Sequence, residues 1–274
     1  MTEHGLYNLM PTINHRPRKR FGQNFLENQN IIQNIIQVLH LQPTDNVLEI
    51  GPGLGALTKP LLNLLPHLTA IEIDTDLHNH LIAMPEAQDK LTVICADALT
   101  INYNDFPANT RVIGNLPYNI STPILLRLLA SLHSIEDMHF MLQKEVVDRL
   151  SAAPGCKAYG RLSVMAQYYC EVESLFDVPA ESFRPVPRVE SSVVRLTPWR
   201  PEIYPAVAFV DLERVVACAF AMRRKTLANN LKPWCTAEQL IKIGIDPGLR
   251  PEQLQVLDYV KLTQALGYLP LQNL

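Results

Sequence analysis

The chain has 274 residues, of which 47% are hydrophobic and 19% are charged, and its formal net charge is −3. This length and composition allow a substantial hydrophobic core, in one large domain or in a large and a small one. The sequence has no run of about 18 consecutive apolar residues, so we expect no membrane helix and no membrane partner. The weak negative charge argues against a surface that is basic all over, but it allows local basic patches.

The N-terminus lacks an apolar stretch ahead of its basic cluster, so we do not expect a signal peptide. The five cysteines are widely spaced and form no C-x-x-C motif, which favours reduced thiols in a cytoplasmic protein and no metal site. We expect all five to be small buried hydrophobes. They are Cys95, Cys156, Cys170, Cys218 and Cys235.

The first part of the chain alternates predicted strands and helices. Apolar residues recur at helical spacing from residue 28 to 40. The predicted strands that follow are 46–50, 68–74, 91–97, 111–115 and 138–143, and the helices between them include 56–65 and 122–132. Strands that alternate with helices are typical of βαβ units, so we predict an α/β fold with a parallel sheet.

The pattern changes in the second part of the chain. Residues 160–170 fit either a helix or a strand, and we favour a helix through Met165 and then a strand near 170–176. A last strand is predicted at 191–198, and the prolines after it indicate a linker. The helices predicted beyond the linker are 212–221, 225–231, 237–243 and 255–266. We therefore divide the chain into an α/β domain, 1–200, and a helical domain, 201–274.

A glycine turn follows the first predicted strand of the sheet. Gly51, Gly53 and Gly55 lie directly after this strand and before a helix. Glycines at such a position allow a tight turn and let a ligand approach the backbone closely. Gly51, Gly53 and Ala56 also fit the dinucleotide pattern G-x-G-x-x-A. A tight turn that binds no ligand is the alternative.

Acidic residues lie at the ends of the next two predicted strands. Glu72 is placed to accept hydrogen bonds from ribose hydroxyls, and Asp97 from an adenine amino group. Either acid alone could instead be a helix cap or a solvated side chain. An adenosine held by its ribose and base, with no pyrophosphate clamp, favours S-adenosylmethionine over NAD. Glu49, just before the glycines, would repel a pyrophosphate and suits a cationic sulfonium.

The sequence Asn115-Leu116-Pro117-Tyr118 ends the fourth predicted strand, on the same sheet edge. The Asn115 side-chain oxygen and the Leu116 carbonyl, which Pro117 leaves without a sheet partner, can both accept from one exocyclic amine. Tyr118 offers a flat face for a base to stack on. This corner predicts a pocket for a planar heterocycle that carries an amino group.

Adenine N6 is a poor nucleophile because its lone pair is delocalised into the ring. Two acceptors on its hydrogens favour a more tetrahedral nitrogen and stabilise the positive charge that grows during attack. Because a sulfonium already activates the methyl group, in-line positioning and electrostatics are the main tasks left to the protein. The target base must first be taken out of its stack.

Several long motifs occur in order and extend this match. The sequence resembles the small-subunit ribosomal RNA adenine dimethyltransferases over roughly residues 18–270. The motifs are GQNFL, EIGPGLG, GNLPYNISTPIL, MLQKEVVDRL, KAYGRLSVMAQYYC and FRPVPRVESSVVRL. The resemblance implies a Rossmann-like methyltransferase domain with a small helical C-terminal RNA-binding domain.

The resemblance also implies an activity and its partners. The family uses S-adenosylmethionine to convert two adjacent adenosines, in the 3′-terminal hairpin of 16S rRNA, into N6,N6-dimethyladenosines. The implied substrate is small-subunit rRNA or the immature small subunit, the implied role is in ribosome biogenesis, and a monomer is expected.

The resemblance assigns roles to individual positions. The implied cofactor-binding residues are Asn24, Leu26, Gly51, Glu72, Asp97 and Asn115. The implied residues around the target base are Asn115, Leu116, Pro117, Tyr118, Phe140 and Phe183. On sequence alone both phenylalanines would be assigned to the core.

Basic clusters are candidate RNA contacts, because lysine and arginine bind phosphates with a strong salt dependence. We expect residues 1–20 to form a flexible basic segment. The candidates are Arg16, Arg18, Lys19, Arg20, Lys144, Arg149, Arg161, Arg223, Arg224 and Lys225. A solvated surface with no partner is the alternative.

Three other functions are weighed against this one. An NAD- or NADP-dependent oxidoreductase would use the glycine turn and Glu72 but would leave 115–118 without a role. A methyltransferase acting on large-subunit RNA or on DNA adenine would share the whole active-site argument. A non-catalytic ribosome-assembly factor would show a broken site, whereas every expected site position is intact here.

Overall fold

The computed structural model describes Arg18 and residues 22–199 and 203–266. Lys19 and Arg20 of the predicted RNA contacts, and Arg16 beside them, lie outside the described residues. The strands are β1 Phe25–Leu26, β2 Asn46–Ile50, β3 Leu68–Glu72, β4 Leu91–Cys95, β5 Thr110–Asn115, β6 Ile135–Gln143, β7 Cys170–Val178, β8 Phe183–Arg184 and β9 Ser191–Pro198. The helices are α1 Gln29–Val38, α2 Thr58–Leu64, α3 Thr75–Ile82, α4 Ser121–Leu129, α5 Lys144–Leu150, α6 Arg161–Tyr169, α7 Phe209–Ala219, α8 Leu227–Leu231, α9 Ala237–Lys242 and α10 Val256–Leu266. Within the described ranges, no helix has both the length and the apolar character needed to span a bilayer.

Seven strands form one sheet in the order β4-β3-β2-β5-β6-β9-β7. The strands from β4 to β6 are parallel, and β9 is antiparallel to both of its neighbours, β6 and β7. Strands β3 and β4 follow β2 on one side of the sheet, and β6 follows β5 on the other side. The strand order therefore reverses between β2 and β5. In open α/β sheets this is where ligands bind, at the carboxyl ends of the strands. The predicted α/β fold with a parallel sheet is confirmed.

Helices cover both faces of the sheet, which explains why its central strands are apolar almost throughout. Val47 and Leu48 are successive residues of β2, and they belong to different buried clusters because successive side chains point to opposite faces. Residues of α1 and α2 join Val47, and residues of α4 and α6 join Leu48. Packing on both faces therefore holds β2 in place within the sheet.

A second, two-stranded sheet joins distant parts of the chain. β1 pairs antiparallel with β8, with Phe25 opposite Arg184 and Leu26 opposite Phe183. The sequence did not predict these strands, because two residues are too short to show a period of two. It also missed α3 and α5, which are helices of only eight and seven residues. The pairing of β1 with β8 holds the N-terminal segment, residues 22–26, beside the large sheet.

The ambiguous stretch 160–170 is a helix followed at once by a strand, as favoured from the sequence. α6 ends at Tyr169 and β7 begins at Cys170. Helices α7 and α10 pack against α6, and Val215 and Tyr259 join the same buried cluster as Met165. The apolar core thus continues from the sheet into the tail helices. The division of the chain at residue 200 stays a prediction.

The cysteines are free thiols, but the expectation that all five are buried is wrong for two of them. Cys170, Cys218 and Cys235 are buried, whereas Cys95 and Cys156 are exposed. Cys95 ends the edge strand β4, and Cys156 lies in the loop between α5 and α6. Neither cysteine is covered by a neighbouring helix or strand. The hydrophobicity of a sequence does not predict whether such a covering element is present.

Gly114, the residue before Asn115 in β5, provides a test of how closely β5 and β2 approach. A Cβ atom added there would lie 2.5 Å from the carbonyl oxygen of Ile50 in β2. We expect Gly114→Ala to lower the free energy of unfolding by about 1–3 kcal/mol, because the two backbones must separate to admit the methyl group. Denaturant unfolding measures this difference.

Gly160→Ala is the matched control, because the nearest atom to an added Cβ there is the Ala158 carbonyl oxygen at 4.0 Å. Equal stability of the two alanine variants would contradict the close approach of β5 and β2.

Candidate cofactor and base-binding site

A cavity of about 300 Å³ opens at the carboxyl ends of β2, β3 and β5. Its wall is formed by the N-terminal segment 22–26, the glycine turn, the ends of β3 and β4, and the corner that follows β5. Nine of the predicted site residues line this one cavity. They are Asn24, Leu26, Gly51, Glu72, Asp97, Asn115, Leu116, Pro117 and Tyr118.

The glycine turn leaves its backbone open to the cavity. Gly51 has a φ of +69°, in the left-handed region that favours glycine. An added Cβ there would meet no atom nearer than the Asn115 carbonyl oxygen at 3.9 Å, so this face of the turn is free to contact a ligand. The Gly53 N–H donates to a carboxylate oxygen of Glu72 at 3.2 Å. This hydrogen bond therefore links the glycine turn to Glu72 at the end of β3.

Glu72 is buried at the end of β3, and its carboxylate accepts from the backbone N–H of Gly53 and, at 2.9 Å, of Asp74. Burial raises the pKa of Glu72, and these hydrogen bonds oppose the rise. A carboxylate has about four acceptor positions, so it can still accept from a ligand's hydroxyl groups. The strand ends at Glu72 rather than at residue 74, because Asp74 caps α3 by accepting from the Asp76 N–H.

Asp97 lies two residues beyond the end of β4 and also lines the cavity. One of its carboxylate oxygens accepts from the Leu99 N–H at 2.9 Å. The strand predicted to end at residue 97 ends at Cys95 in the structure, and this hydrogen bond fixes the carboxylate at the cavity wall.

Glu49 is a second buried acid at the cavity, 2% exposed and in contact with its wall. It accepts a hydrogen bond from the Thr58 hydroxyl at 2.7 Å. Burial raises the pKa of Glu49 from 4.5 to about 7, and the nearby charge of Glu72 adds to the rise. Sequence reasoning identified Glu49 by its charge but missed Thr58, nine residues further on in α2.

Asn115 has a defined orientation. Its side-chain nitrogen donates to the Asn24 carbonyl at 3.1 Å, so its side-chain oxygen is the end that can accept from an amine. The Leu116 N–H donates to the Met141 carbonyl of β6 at 3.2 Å. Pro117 then has no N–H to continue the ladder, and the chain leaves the sheet. The two acceptors predicted from the sequence therefore lie at the end of the strand.

Tyr118 follows on the turn between β5 and α4, half-buried in the cavity wall. Its phenol oxygen is 2.7 Å from the hydroxyl oxygen of Ser191, at the start of β9. Burial raises the pKa of Tyr118, so the phenol is neutral near pH 7. Sequence reasoning did not single out Ser191.

The two predicted phenylalanines lie behind the cavity rather than in its wall. Phe140 and Phe183 are both 0% exposed. Phe140 is opposite Gly114 in the pairing of β5 with β6, and Phe183 is opposite Leu26 in the small sheet. Each supports a residue next to the cavity, and contact with a target base stays a prediction for both.

Arg18 ties the N-terminal segment to the start of α3. Its guanidinium donates to Asp74 at 2.9 Å and also to Asp76. The side chain of Gln23 donates to the other Asp74 oxygen at 3.2 Å and accepts from the Arg18 N–H at 2.8 Å. The Asp74 side chain is fully buried. Arg18 therefore forms a clasp, by which we mean its hydrogen bonds to Asp74 and Asp76, beside this cavity, and its contact with RNA stays a prediction.

Most of the other predicted RNA contacts are also paired within the protein. Lys144 pairs with Asp177 at 2.6 Å and Arg161 with Glu213 at 2.8 Å, while Arg149 pairs with Glu145. Arg223 donates to the carbonyls of Lys157 and Tyr159. Arg224 and Lys225 are exposed and make no ion pair with any described residue. They are therefore the members of this set that can bind phosphate without first giving up an ion pair or a side-chain hydrogen bond.

A family model described as ribosomal RNA adenine dimethylase matches residues 14–267. The chain belongs to the ribosomal RNA adenine dimethylase family. The match covers both the sheet and the tail helices, and it agrees with the span expected from the sequence motifs. Accordingly, the protein is an S-adenosylmethionine-dependent ribosomal RNA adenine dimethyltransferase, and the oxidoreductase alternative is wrong.

Relatives with curated names support the same family. Ribosomal RNA small subunit methyltransferase A of Legionella pneumophila (strain Corby) is 59% identical over 255 residues, 93% of this chain and 100% of the relative. The protein of that name from Nitrosococcus oceani is 50% identical over 258 residues, 93% and 98% of the two chains.

Two solved structures share the fold. A dimethyladenosine transferase from Plasmodium falciparum superposes with a TM-score of 0.75 at 26% identity, covering 87% of this chain and 95% of that one. The 23S rRNA methyltransferase ErmE superposes with a TM-score of 0.69 at 26% identity, covering 89% and 100%.

The raised pKa of Glu49 gives this dimethylase a pH-dependent stability. Since the unfolded chain titrates near pH 4.5 and the folded protein near pH 7, the folded state binds more protons between these values, and stability falls as pH rises through this window. The difference corresponds to a cost of about 3 kcal/mol for the ionised form above pH 7. Denaturant unfolding without cofactor should find Glu49→Gln more stable than the unmodified protein near pH 8 and similar near pH 5.

The exposed Glu86 supplies the control, because Glu86→Gln makes the same change of charge at the surface. A gain for Glu49→Gln that is the same at both pH values would contradict the buried titration. Cofactor binding gives a second readout: S-adenosylmethionine, with its sulfonium, should release more protons on binding than S-adenosylhomocysteine, and Glu49→Gln should remove the difference.

The Arg18 clasp separates a cofactor effect from an RNA effect. We expect Arg18→Gln to raise the dissociation constant for S-adenosylmethionine about threefold to tenfold, because the buried Asp74 loses its cation and the N-terminal segment is released. The salt dependence of RNA binding should not change. Calorimetry measures the first quantity, and filter binding at several salt concentrations measures the second.

Two comparisons sharpen this test. Arg149→Gln removes an exposed pair away from the cavity and should leave cofactor affinity unchanged. Replacing Arg224 and Lys225 with glutamine should lower the salt slope by roughly one for each residue that contacts phosphate. A lowered slope with normal cofactor affinity for Arg18→Gln would contradict the expected cofactor effect and support the predicted contact of Arg18 with RNA.

Proposed function

We propose that this dimethylase converts two adjacent adenosines, in the 3′-terminal hairpin of 16S rRNA, into N6,N6-dimethyladenosines during small-subunit biogenesis. The observation that carries the proposal is that the Asn115–Tyr118 corner opens into the same cavity as Gly51, Glu72 and Asp97. A site for a nucleobase amine and a site for an adenosine cofactor are thereby joined. The relatives that match over nearly the whole chain are named for the small subunit, which supports this choice of RNA.

The cofactor end of the cavity is assigned to five residues. Gly51 contacts the cofactor through its backbone, Glu72 accepts from the ribose hydroxyls, and Asp97 accepts from the adenine amino group. Asn24 and Leu26 close the cavity from the N-terminal segment. The open face of the glycine turn and the acceptor positions left on Glu72 fit this group.

The base end is assigned to the corner after β5. The Asn115 side-chain oxygen and the Leu116 carbonyl accept the two hydrogens of N6, and Tyr118 stacks on the ring. Pro117 has no N–H to continue the sheet ladder, so the chain leaves the sheet directly after Leu116. Phe140 and Phe183 support this wall from behind, next to Gly114 and Leu26.

These contacts act on charge and position. When bound, S-adenosylmethionine would supply a methyl group activated by its sulfonium; N6 would displace the sulfur at that carbon with its lone pair, the bonding electrons would stay on sulfur, and N6 would then lose a proton to solvent. The Asn115 and Leu116 oxygens stabilise the positive charge that develops on N6. The neutral Tyr118 ring holds the base in line with the donor. Holding the reacting atoms in this geometry raises the rate over that of the same reaction in solution.

The RNA contacts are assigned first to Arg224 and Lys225, which are exposed and unpaired within the described chain. Lys144, Arg149, Arg161 and Arg223 would have to exchange their present partners for phosphate. Such contacts supply affinity that is largely independent of sequence, so the shape of the RNA and the ease of flipping the base select the target. We further propose that the enzyme acts as a monomer, in the cytoplasm, on the immature small subunit.

Methylation of large-subunit RNA is the second candidate, because ErmE, named as a 23S rRNA methyltransferase, shares the fold over 89% of this chain. Its identity of 26% is far below the 59% and 50% of the relatives named for the small subunit. The fold and the chemistry would be the same in both cases, so only the choice of RNA separates them.

The test is to incubate the enzyme with methyl-labelled S-adenosylmethionine and undermethylated small subunits, and then to identify the labelled nucleosides by mass. We expect N6,N6-dimethyladenosine, with Asn115→Ala lowering kcat by roughly a hundredfold or more and changing cofactor affinity much less. Label on large-subunit RNA alone would retain the active-site assignment and overturn the substrate. Cofactor binding without label on any RNA would indicate an assembly factor.

A further inference from the structure

Ser191 belongs to the FRPVPRVESSVVRL motif and has no role in the site described above. It begins β9 and is 0% exposed. In the sheet it is paired with Gln143 on β6 and with Val178 on β7, so its backbone is held from both sides. A buried hydroxyl must find a partner within the protein, and the partner of Ser191 is Tyr118.

Tyr118 lies outside the regular elements, on the turn between β5 and α4. Its backbone is held locally, since its carbonyl accepts from the Ser121 hydroxyl at 3.2 Å. At the other end of the side chain, the phenol oxygen is 2.7 Å from the Ser191 hydroxyl oxygen. A side chain tied at its tip to the sheet and at its backbone to a turn has little freedom to rotate.

The strand that holds Ser191 is itself braced. The next residue, Ser192, donates its hydroxyl hydrogen to Asp177 of β7, and Asp177 also pairs with the Lys144 ammonium at 2.6 Å. The Lys144 N–H donates to the Glu190 carbonyl at 3.0 Å, directly before Ser191. The Ser191 hydroxyl is thus held in place by the sheet, and its hydrogen bond to the phenol oxygen holds the Tyr118 ring in place as well.

We propose that Ser191 is a positioning residue, which holds the Tyr118 ring in the orientation that stacks on the target adenine. This rests on the proposed function, which assigns the adenine to Tyr118. Ser191 does not line the cavity, so it acts through Tyr118 and not on the cofactor. Since stacking aligns N6 with the methyl donor, a loosened ring lowers the fraction of bound bases that can react.

The kinetic consequence is specific. Removing the Ser191 hydroxyl should lower kcat about tenfold, the loss that corresponds to one hydrogen bond. The KM for small subunits should change less than about twofold, because phosphate contacts dominate RNA affinity, and cofactor affinity should not change. Burial raises the pKa of Tyr118, so the phenol is neutral and the loss should be the same from about pH 6 to pH 8.

The experiment is a double-mutant cycle with undermethylated small subunits as substrate. Ser191→Ala, Tyr118→Phe and the double variant should all lose kcat by the same factor, because each breaks the same hydrogen bond. Ser191→Thr retains a hydroxyl and should recover most of the activity. Ser134→Ala is the control: this buried serine bonds to the Tyr103 carbonyl at 3.0 Å, outside the site, and its kcat should be unchanged.

Normal kcat for Ser191→Ala would overturn the proposal, as would losses that multiply in the double variant or that vary across the pH range. If Ser191→Ala fails to fold, the pair Tyr118→Phe and Ser191→Thr decides: loss in the first with activity in the second supports the anchor, and activity in both overturns it. Tyr118→Ala separates this result from the proposed function, because normal kcat in that variant would remove Tyr118 from the site altogether.

Discussion

The parallel pairing of β2 with β3 on one side and β5 on the other is the constraint on which the site depends. In this register Glu49 is opposite both Ala70 and Ile113, so the three strands end close together. The glycine turn, Glu72 and Asn115 are carried by three adjacent parallel strands of the sheet, and they meet because the strand order reverses between β2 and β5. Helices on both faces hold that register.

A continuous set of hydrogen bonds extends from this edge to the N-terminal segment. The Gly53 and Asp74 N–H groups both bind Glu72, Asp74 caps α3, and Arg18 binds Asp74. The residues at this end of the cavity are therefore not independent. A change at Asp74 would affect Glu72, the start of α3 and Arg18 together, although Asp74 is outside the cavity wall.

The base end of the site is organised differently. Asn115 and Leu116 are fixed by the end of a central strand, whereas Tyr118 projects from a turn and is tied to β9, a strand that runs antiparallel to its neighbours. Asn115 and Leu116 of the proposed base site are therefore fixed by the parallel strand β5, whereas Tyr118 is held by a hydrogen bond to the antiparallel strand β9.

The sequence by itself determined the seven strands of the large sheet, although not β1, β8, α3 or α5, and nine of the site residues it predicted line one cavity. The predictions for β2 and β9 match residue for residue, since buried strands have a strong local pattern. The glycine turn and the Asn-Leu-Pro-Tyr corner were identifiable because each concentrates unusual backbone chemistry within a few residues. The order of parallel strands then placed both at one edge.

Only the tertiary structure decided which side chains meet across the chain. Tyr118 and Ser191 are 73 residues apart, and Arg18 and Asp74 are 56 apart. The period of a sequence reports which face of an element is apolar, but it does not report which polar side chain a neighbouring element brings into reach. For that reason the sequence predicts neither the pairing of Arg18 with Asp74 nor the hydrogen bond between Ser191 and Tyr118, since both depend on partners that only the folded chain brings together.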